Sequence, residues 1–169
     1  FPYTTLFRSI SFYPPERRPG GKNFVLKTGA AIKAFDVEQL ETFVFRPDGI
    51  KTNAWVAALT EKNPSLKIEW EERQSIGSVV LWFDTDFDHA MESCLMGHPE
   101  NTMPFCVQEY KILDDRGQVV YETTENYHSR PEIKFEEPVQ TSTLTVQLYR
   151  KHEKVPVSLF GIQAFGASS

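Results

Sequence analysis

The sequence predicts an all-β fold, two antiparallel sheets packed face to face as a β-sandwich, and three observations carry that prediction. Leu66, Ile68 and Trp70 alternate with Lys67 and Glu69, and Leu144, Val146 and Leu148 alternate with threonines and a glutamine, the period of two that a half-buried strand requires. Asp114, Asp115, Arg116 and Gly117 separate two β-rich runs, and a glycine free to take positive φ makes that interruption a hairpin turn. No segment of helical periodicity exceeds about ten residues.

Length and charge then narrow the class. With 169 residues and 40% hydrophobic content, the chain suits one domain with its own core. Its 18 basic and 23 acidic side chains give a net charge of −5, the wrong sign for gripping a phosphate backbone, and no basic stripe is present. No nucleic-acid partner is expected. No apolar run reaches the roughly 18 residues of a membrane helix, and no charged start precedes an apolar stretch, so a soluble chain without membrane or signal segment is expected. Two cysteines, Cys94 and Cys106, make no disulfide framework and leave the compartment open.

Taken in order, "FPYTTLFRS" shares no pattern with the rest of the chain and reads as a translated adapter scar. "PPERRPGGK" is a proline- and glycine-rich linker, so residues 1–19 are scar and linker and the sandwich is expected over 20–169. "DVEQLE" offers a helical turn with Asp36 and Gln39 as a capping box. Asp48 and Gly49 form a turn signal before Trp55. Strands are expected at "LKIEW", "IGSVVLWFD", 105–113, 118–123, "PEIKF", "TLTVQLY" and "VSLFGIQAF", about eight in all with the opening strand. A second short helix is expected at "DHAMESCLMG", capped by Asp88 and closed by Gly97.

The run "NFVLKTGAAIKAF", "RPDGIKTNAWVA", "NPSLKIEWEE", "IGSVVLWFD", "STLTVQLYR" and "VSLFGIQAFG" resembles, in order, the landmarks of discoidin-like, galactose-binding-like jelly rolls. The longer stretch "FDTDFDHAMESCLMGHPENTMPFCVQEYKILDDRG" resembles a sandwich domain at the C-terminal end of bacterial FAD-dependent oxidoreductases. That resemblance implies an accessory domain whose parent carries the FAD and whose partner is the parent's flavin catalytic domain; the compartment stays open, with a secreted or periplasmic bacterial setting as one option. No GxGxxG follows a strand here, so no flavin is expected in this chain itself. Cys94 stands where the resemblance implies an apolar residue, which argues against a required Cys94–Cys106 bond.

Candidate sites fall in three places. In jelly rolls of this kind rim loops bind carbohydrate by stacking aromatics on sugar rings, which implies Phe35, Trp55, Tyr127, His128 and Arg130 here, with Trp55 the most apt to be packed instead. The resemblance also implies a structural calcium at the Asp-Gly turn, with Asp48 as a ligand. The acid that would complete it falls at Gly161, and that absence speaks against the metal.

The third place is residues 84–100, with Asp84, Asp86, Asp88, His89, Glu92, His98 and Glu100. Val79, Leu81, Phe83 and Phe87 alternate onto one face, leaving Val80, Trp82 and the three aspartates on the other. Carboxylates so placed sit about 7 Å apart, too far to share an ion unless the strand ends and bends; as oxygen ligands they are calcium candidates without an EF-type loop. His89 and His98 with a carboxylate are the zinc candidates, but their spacing lacks the one-face helical logic of such sites. A metal-dependent, hydrolase-like enzyme built on this cluster is the rival reading, and a purely structural domain the third. The favoured reading has Asp86, Asp88 and His89 bonding the backbone of a long ordered loop, and Met91, Met96 and Met103 docking on the parent domain.

Overall fold

The computed structural model describes residues 35–45, 53–84, 106–151, 153 and 155–167. Among them, a 3-10 helix at Val37–Thr42 precedes six strands: β1 (Trp55–Val56), β2 (Ser65–Phe83), β3 (Glu109–Leu113), β4 (Val119–Thr123), β5 (Glu132–Tyr149) and β6 (Ser158–Gly166). They form one antiparallel sheet in the order β1-β6-β2-β5-β3-β4. The expected boundary near Gly20, the Asp48–Gly49 turn and the short helix at 88–97 lie outside the described residues. Among the described residues no helix is long and apolar enough to cross a membrane.

The expected opening strand falls, but for Phe35, outside the described residues, and among the described residues two pairs of expected strands are each one long strand, for a physical reason. "LKIEW" and "IGSVVLWFD" are the two halves of β2, and "PEIKF" and "TLTVQLY" are the two halves of β5. No turn chemistry separates the halves, only charged and polar residues that an extended chain can hold in water. At 19 and 18 residues, β2 and β5 would each run about 60 Å if flat. A compact chain of this length has a radius of gyration of only about 15 Å. The ribbon must therefore fold over itself.

It does so at two irregularities. Between Glu69 and Gln74, β2 spends four residues where β5 spends one, and between Ile76 and Ser78 the excess passes to β5, whose Phe135–Pro138 segment leaves the ladder. Pro138, which has no N–H to donate, sits where no ladder bond is missed. One half of the ribbon, Ser65–Glu69 with Thr143–Gln147, is extended by β3 and β4; the other, Ser78–Val80 with Glu132–Lys134, is extended by β6 and β1.

The two halves face each other across the core. Leu66, Tyr110, Ile112, Leu144, Val146 and Leu148 enter from one side, and Val79, Leu81, Phe83, Ile133 and Leu159 from the other. The Phe83 and Tyr110 rings meet across the middle at 5.4 Å between centroids, and burial pushes the Tyr110 phenol above its ordinary pKa. Each fully buried leucine is worth about 1.5–3 kcal/mol relative to exposure. The alternation of Val79, Leu81 and Phe83 into the core is as the sequence predicts, but Val80 on the opposite face is also buried.

The expected hairpin joins β3 to β4. Asp114 Oδ1 accepts from the N–H groups of Arg116 and Gln118 at 2.9 and 2.8 Å, and Gly117 takes φ 76°, a conformation that costs glycine little. Asp115 then ties the hairpin to the bend in β5: its carboxylate accepts from the Ser142 N–H and hydroxyl, both at 3.2 Å, and from Arg73 Nη2 at 2.7 Å. The Ser142 N–H and the Arg73 guanidinium hold its pKa below the ordinary carboxylate value. Thr141, fully buried, donates to Thr143 O at 2.7 Å and accepts from the Asp115 N–H at 3.0 Å. Thus the bend that closes the sandwich is fixed by polar groups that satisfy one another.

Candidate functional site

The β4–β5 connection, residues 124–131, crosses from one half of the sandwich to the other and so runs along its rim. Asn126 anchors it on one side: its N–H donates to Gln108 O at 2.8 Å, and its Nδ2 donates to Val107 O at 2.8 Å and to His128 O at 3.1 Å. Its Oδ1 accepts from the His128 N–H at 3.2 Å. On the other side the main chain of β2 holds it, Phe83 N–H donating to Ser129 O at 2.8 Å and Leu81 N–H to Pro131 O at 3.2 Å. A loop pinned at both ends to different halves of a sandwich presents its side chains in a fixed order. Asparagine suits the inner position because a buried amide can satisfy two carbonyls and one N–H at once.

Those side chains are Tyr127, His128 and Arg130. Tyr127 is 71% exposed, and its ring lies 4.2 Å from that of His128 with a 35° tilt. Arg130 places its guanidinium carbon 4.7 Å from the centroid of the Trp82 ring, a distance at which the cation is attracted to the ring face. Trp82 is also stacked on Phe45, with centroids 4.2 Å apart and planes 8° from parallel. Phe43 meets Phe45 edge to face at 6.4 Å.

Beneath the rim is Cys106, a free and buried cysteine. Its Sγ lies 3.7 Å from Asn126 Nδ2 and 3.8 Å from His128 O, and burial pushes the thiol up to about 11. It packs the loop and is a poor nucleophile.

Of the five residues expected to contact sugar, the structure groups three and separates two. Phe35 is half exposed and its carbonyl accepts from the Val56 N–H at 3.1 Å, which places it beside β1 with Trp55. Trp55 is partly buried against the core cluster. From β1 to the rim loop the chain order is β1, β6, the end of β2, then Ser129, three strand spacings or about 14 Å. Tyr127, His128 and Arg130 therefore share one pinned loop, and Phe35 and Trp55 lie beyond it.

The acidic stretch meets the structure only at Asp84, whose N–H donates to Ser158 O at 3.2 Å and whose Oδ2 accepts from Ser158 Oγ at 3.3 Å. Asp86, Asp88, His89 and His98, the docking residues Met91, Met96 and Met103, and Asp48 of the calcium turn lie outside the described residues. Among the described residues no three His, Cys, Asp or Glu side chains converge as a metal cluster would.

No family model matches the sequence, and no curated protein matches it. Solved structures do match. The family 32 carbohydrate-binding module of EndoD from Streptococcus pneumoniae has a TM-score of 0.58 at 10% identity, covering 83% of this chain and 91% of that one. The lectin domain of lectinolysin, solved with Lewis B antigen, has 0.55 at 13%, covering 83% and 90%. Chitosan-binding module 2 of a chitosanase/glucanase from Paenibacillus sp. IK-5, solved with chitotriose, has 0.55 at 16%, covering 80% and 89%. The fold is a discoidin-like, galactose-binding-like jelly roll. At these identities the likeness speaks for the fold alone.

Two features of this jelly roll were not expected from its sequence. Asn126 reads as one more polar residue in "ENYHSRPE", and only its burial among Val107, Cys106 and His128 shows its part. Gly161, where the calcium turn would need a carboxylate, pairs with Trp82 across β6 and β2, and a Cβ there would lie 2.5 Å from Phe45 Cε1. Glycine stands at 161 because an aromatic ring lies over it. The outward alternation of Trp82 was the one sequence signal of that stack.

Proposed function

We propose that this jelly roll is a non-catalytic carbohydrate-binding module and that Tyr127, His128 and Arg130 form its ligand surface. The observation that carries the reading is the exposed Tyr127 ring paired with His128 on a loop hydrogen-bonded to both halves of the sandwich. A large exposed ring on a backbone that is already pinned is a suitable platform for the apolar face of a sugar, because ordering the loop adds little cost on binding, and polar neighbours on the same loop supply its hydroxyl partners. Solved neighbours named as carbohydrate-binding modules support binding over the rival hydrolase reading.

The parent that such a module would serve is, on the resemblance of residues 83–117, a bacterial FAD-dependent oxidoreductase, with Met91, Met96 and Met103 docking on its flavin domain. Calcium at Asp48 is not part of the proposal, because position 161 has an aromatic ring where the completing carboxylate would sit.

Affinity electrophoresis through gels containing a panel of soluble polysaccharides tests the proposal. The wild-type chain is expected to be retarded by at least one polymer, and Tyr127→Ala to weaken that binding tenfold or more with its melting temperature unchanged. Tenfold corresponds to about 1.4 kcal/mol. No retardation by any polymer, or equal retardation of the variant, would refute it.

A further inference from the structure

The cation at the rim bears on which sugar is taken, an inference that rests on the carbohydrate-binding reading. Arg130 is held by its face. Its guanidinium lies over the Trp82 ring at 4.7 Å, and Trp82 is in turn fixed by Phe45, so the long side chain has already given up much of the rotamer freedom that binding would otherwise cost. Stacking uses the π face of a guanidinium and leaves its in-plane N–H donors available.

Those donors are unspent. Among the described residues the Arg130 guanidinium makes no hydrogen bond; its one ion-pair contact is Glu132 Oε2 at 4.0 Å from Nη1, beyond hydrogen-bond reach. Lys134 Nζ lies 3.5 Å from the same carboxylate and offsets its charge. The guanidinium side chain remains 47% exposed. A planar fork of donors, immobilised, solvent-facing and without an acceptor matches the bidentate geometry of a carboxylate.

We propose that the rim selects a sugar acid, a uronic acid residue whose carboxylate is received by Arg130 while a sugar ring stacks on Tyr127. Tyr127 and Arg130 are three positions apart, at most about 11 Å between their Cα atoms, a separation on the scale of one or two sugar units. The net charge of −5 does not oppose this, because repulsion from distant carboxylates is screened beyond about 8 Å at physiological ionic strength.

Calorimetric titration of the full chain with trigalacturonic acid, with its methyl ester and with neutral galactotriose tests the selection. The acid is expected to bind at least tenfold more tightly than the ester, and Arg130→Met to abolish that preference. Arg130→Lys, which keeps the charge without the fork, is expected to recover only part of it. Equal binding of acid and ester by the wild type, or a preference that survives in Arg130→Met, would overturn the sugar-acid assignment while leaving carbohydrate binding in place. Binding of neutral sugar alone would do the same. If none of the three binds and the polysaccharide panel is also negative, the carbohydrate reading and this one fall together.

Discussion

Asn126 does at the rim what a short strand would do elsewhere, pairing the backbone groups of a loop that has no ladder of its own. Replacing it with alanine removes the amide that pairs the Val107 carbonyl and both backbone groups of His128, leaving only the weak Cys106 thiol beside the two carbonyls, at a cost of about 1–3 kcal/mol. Urea melts of Asn126→Ala should show that loss, and glycan affinity should fall with it because Tyr127 and His128 lose their fixed placement. A variant as stable as the wild type would mean that the loop is held by its β2 contacts alone. Cys106 gives a second expectation at this scale. With its pKa pushed up to about 11 by burial, little thiolate exists near neutrality, so iodoacetamide should modify Cys106 slowly in the native protein and quickly in urea, as peptide mapping would read. Rapid native labelling would show that the loop opens. Tyr127, His128 and Arg130 are legible in the sequence as a polar-aromatic run, whereas the pairing of Arg130 with Trp82 depends on strand register between residues 48 positions apart and leaves no local trace.

Two elements, the bent ribbon and the β2–β6 pair, are only partly legible in the sequence, each for its own reason. Alternation at "LKIEW" and "TLTVQLY" marks strands because water on one face and core on the other impose a period of two. Where the ribbon bends, both faces of residues 70–73 meet solvent in part, the alternation stops, and one strand looks like two. Asp115 secures that bend, and its depressed pKa has a defined consequence. The Ser142 N–H first, and Arg73 next, favour the ionised form in the folded protein. Its contribution to stability is thus complete above the ordinary carboxylate pKa and is lost as pH falls through the lower folded value. Denaturant melts from pH 6 down to pH 2 should show a steeper acid limb for the wild type than for Asp115→Asn; superimposable limbs would remove Asp115 from the account. At the β2–β6 pair, Gly161→Ala must push Phe45 off Trp82, costing about 1–3 kcal/mol as overpacking does. Its melting temperature and tryptophan emission should both change. An unaltered emission spectrum would mean that the ring accommodates a methyl group without leaving its stack.

At the scale of the molecule, a sandwich closed by two long bent strands supplies a rigid body, and the rim loop that ties its halves together supplies the surface. The fold class was legible because it follows from periodicity and turn chemistry spread over many residues. The candidate site was legible only as residue types, since its geometry comes from Asn126, Trp82 and Phe45, whose roles are set by packing across the sandwich. The central claim is that the surface of Tyr127, His128 and Arg130 receives carbohydrate. The most direct test is a 15N–1H correlation spectrum of the chain titrated with a glycan that retards it in the affinity gel. Shifts confined to the amides of residues 126–131, the Arg130 side chain and the Trp82 indole are the predicted result. Saturable shifts centred on β1 and Phe35, with the 126–131 amides unmoved, would contradict it.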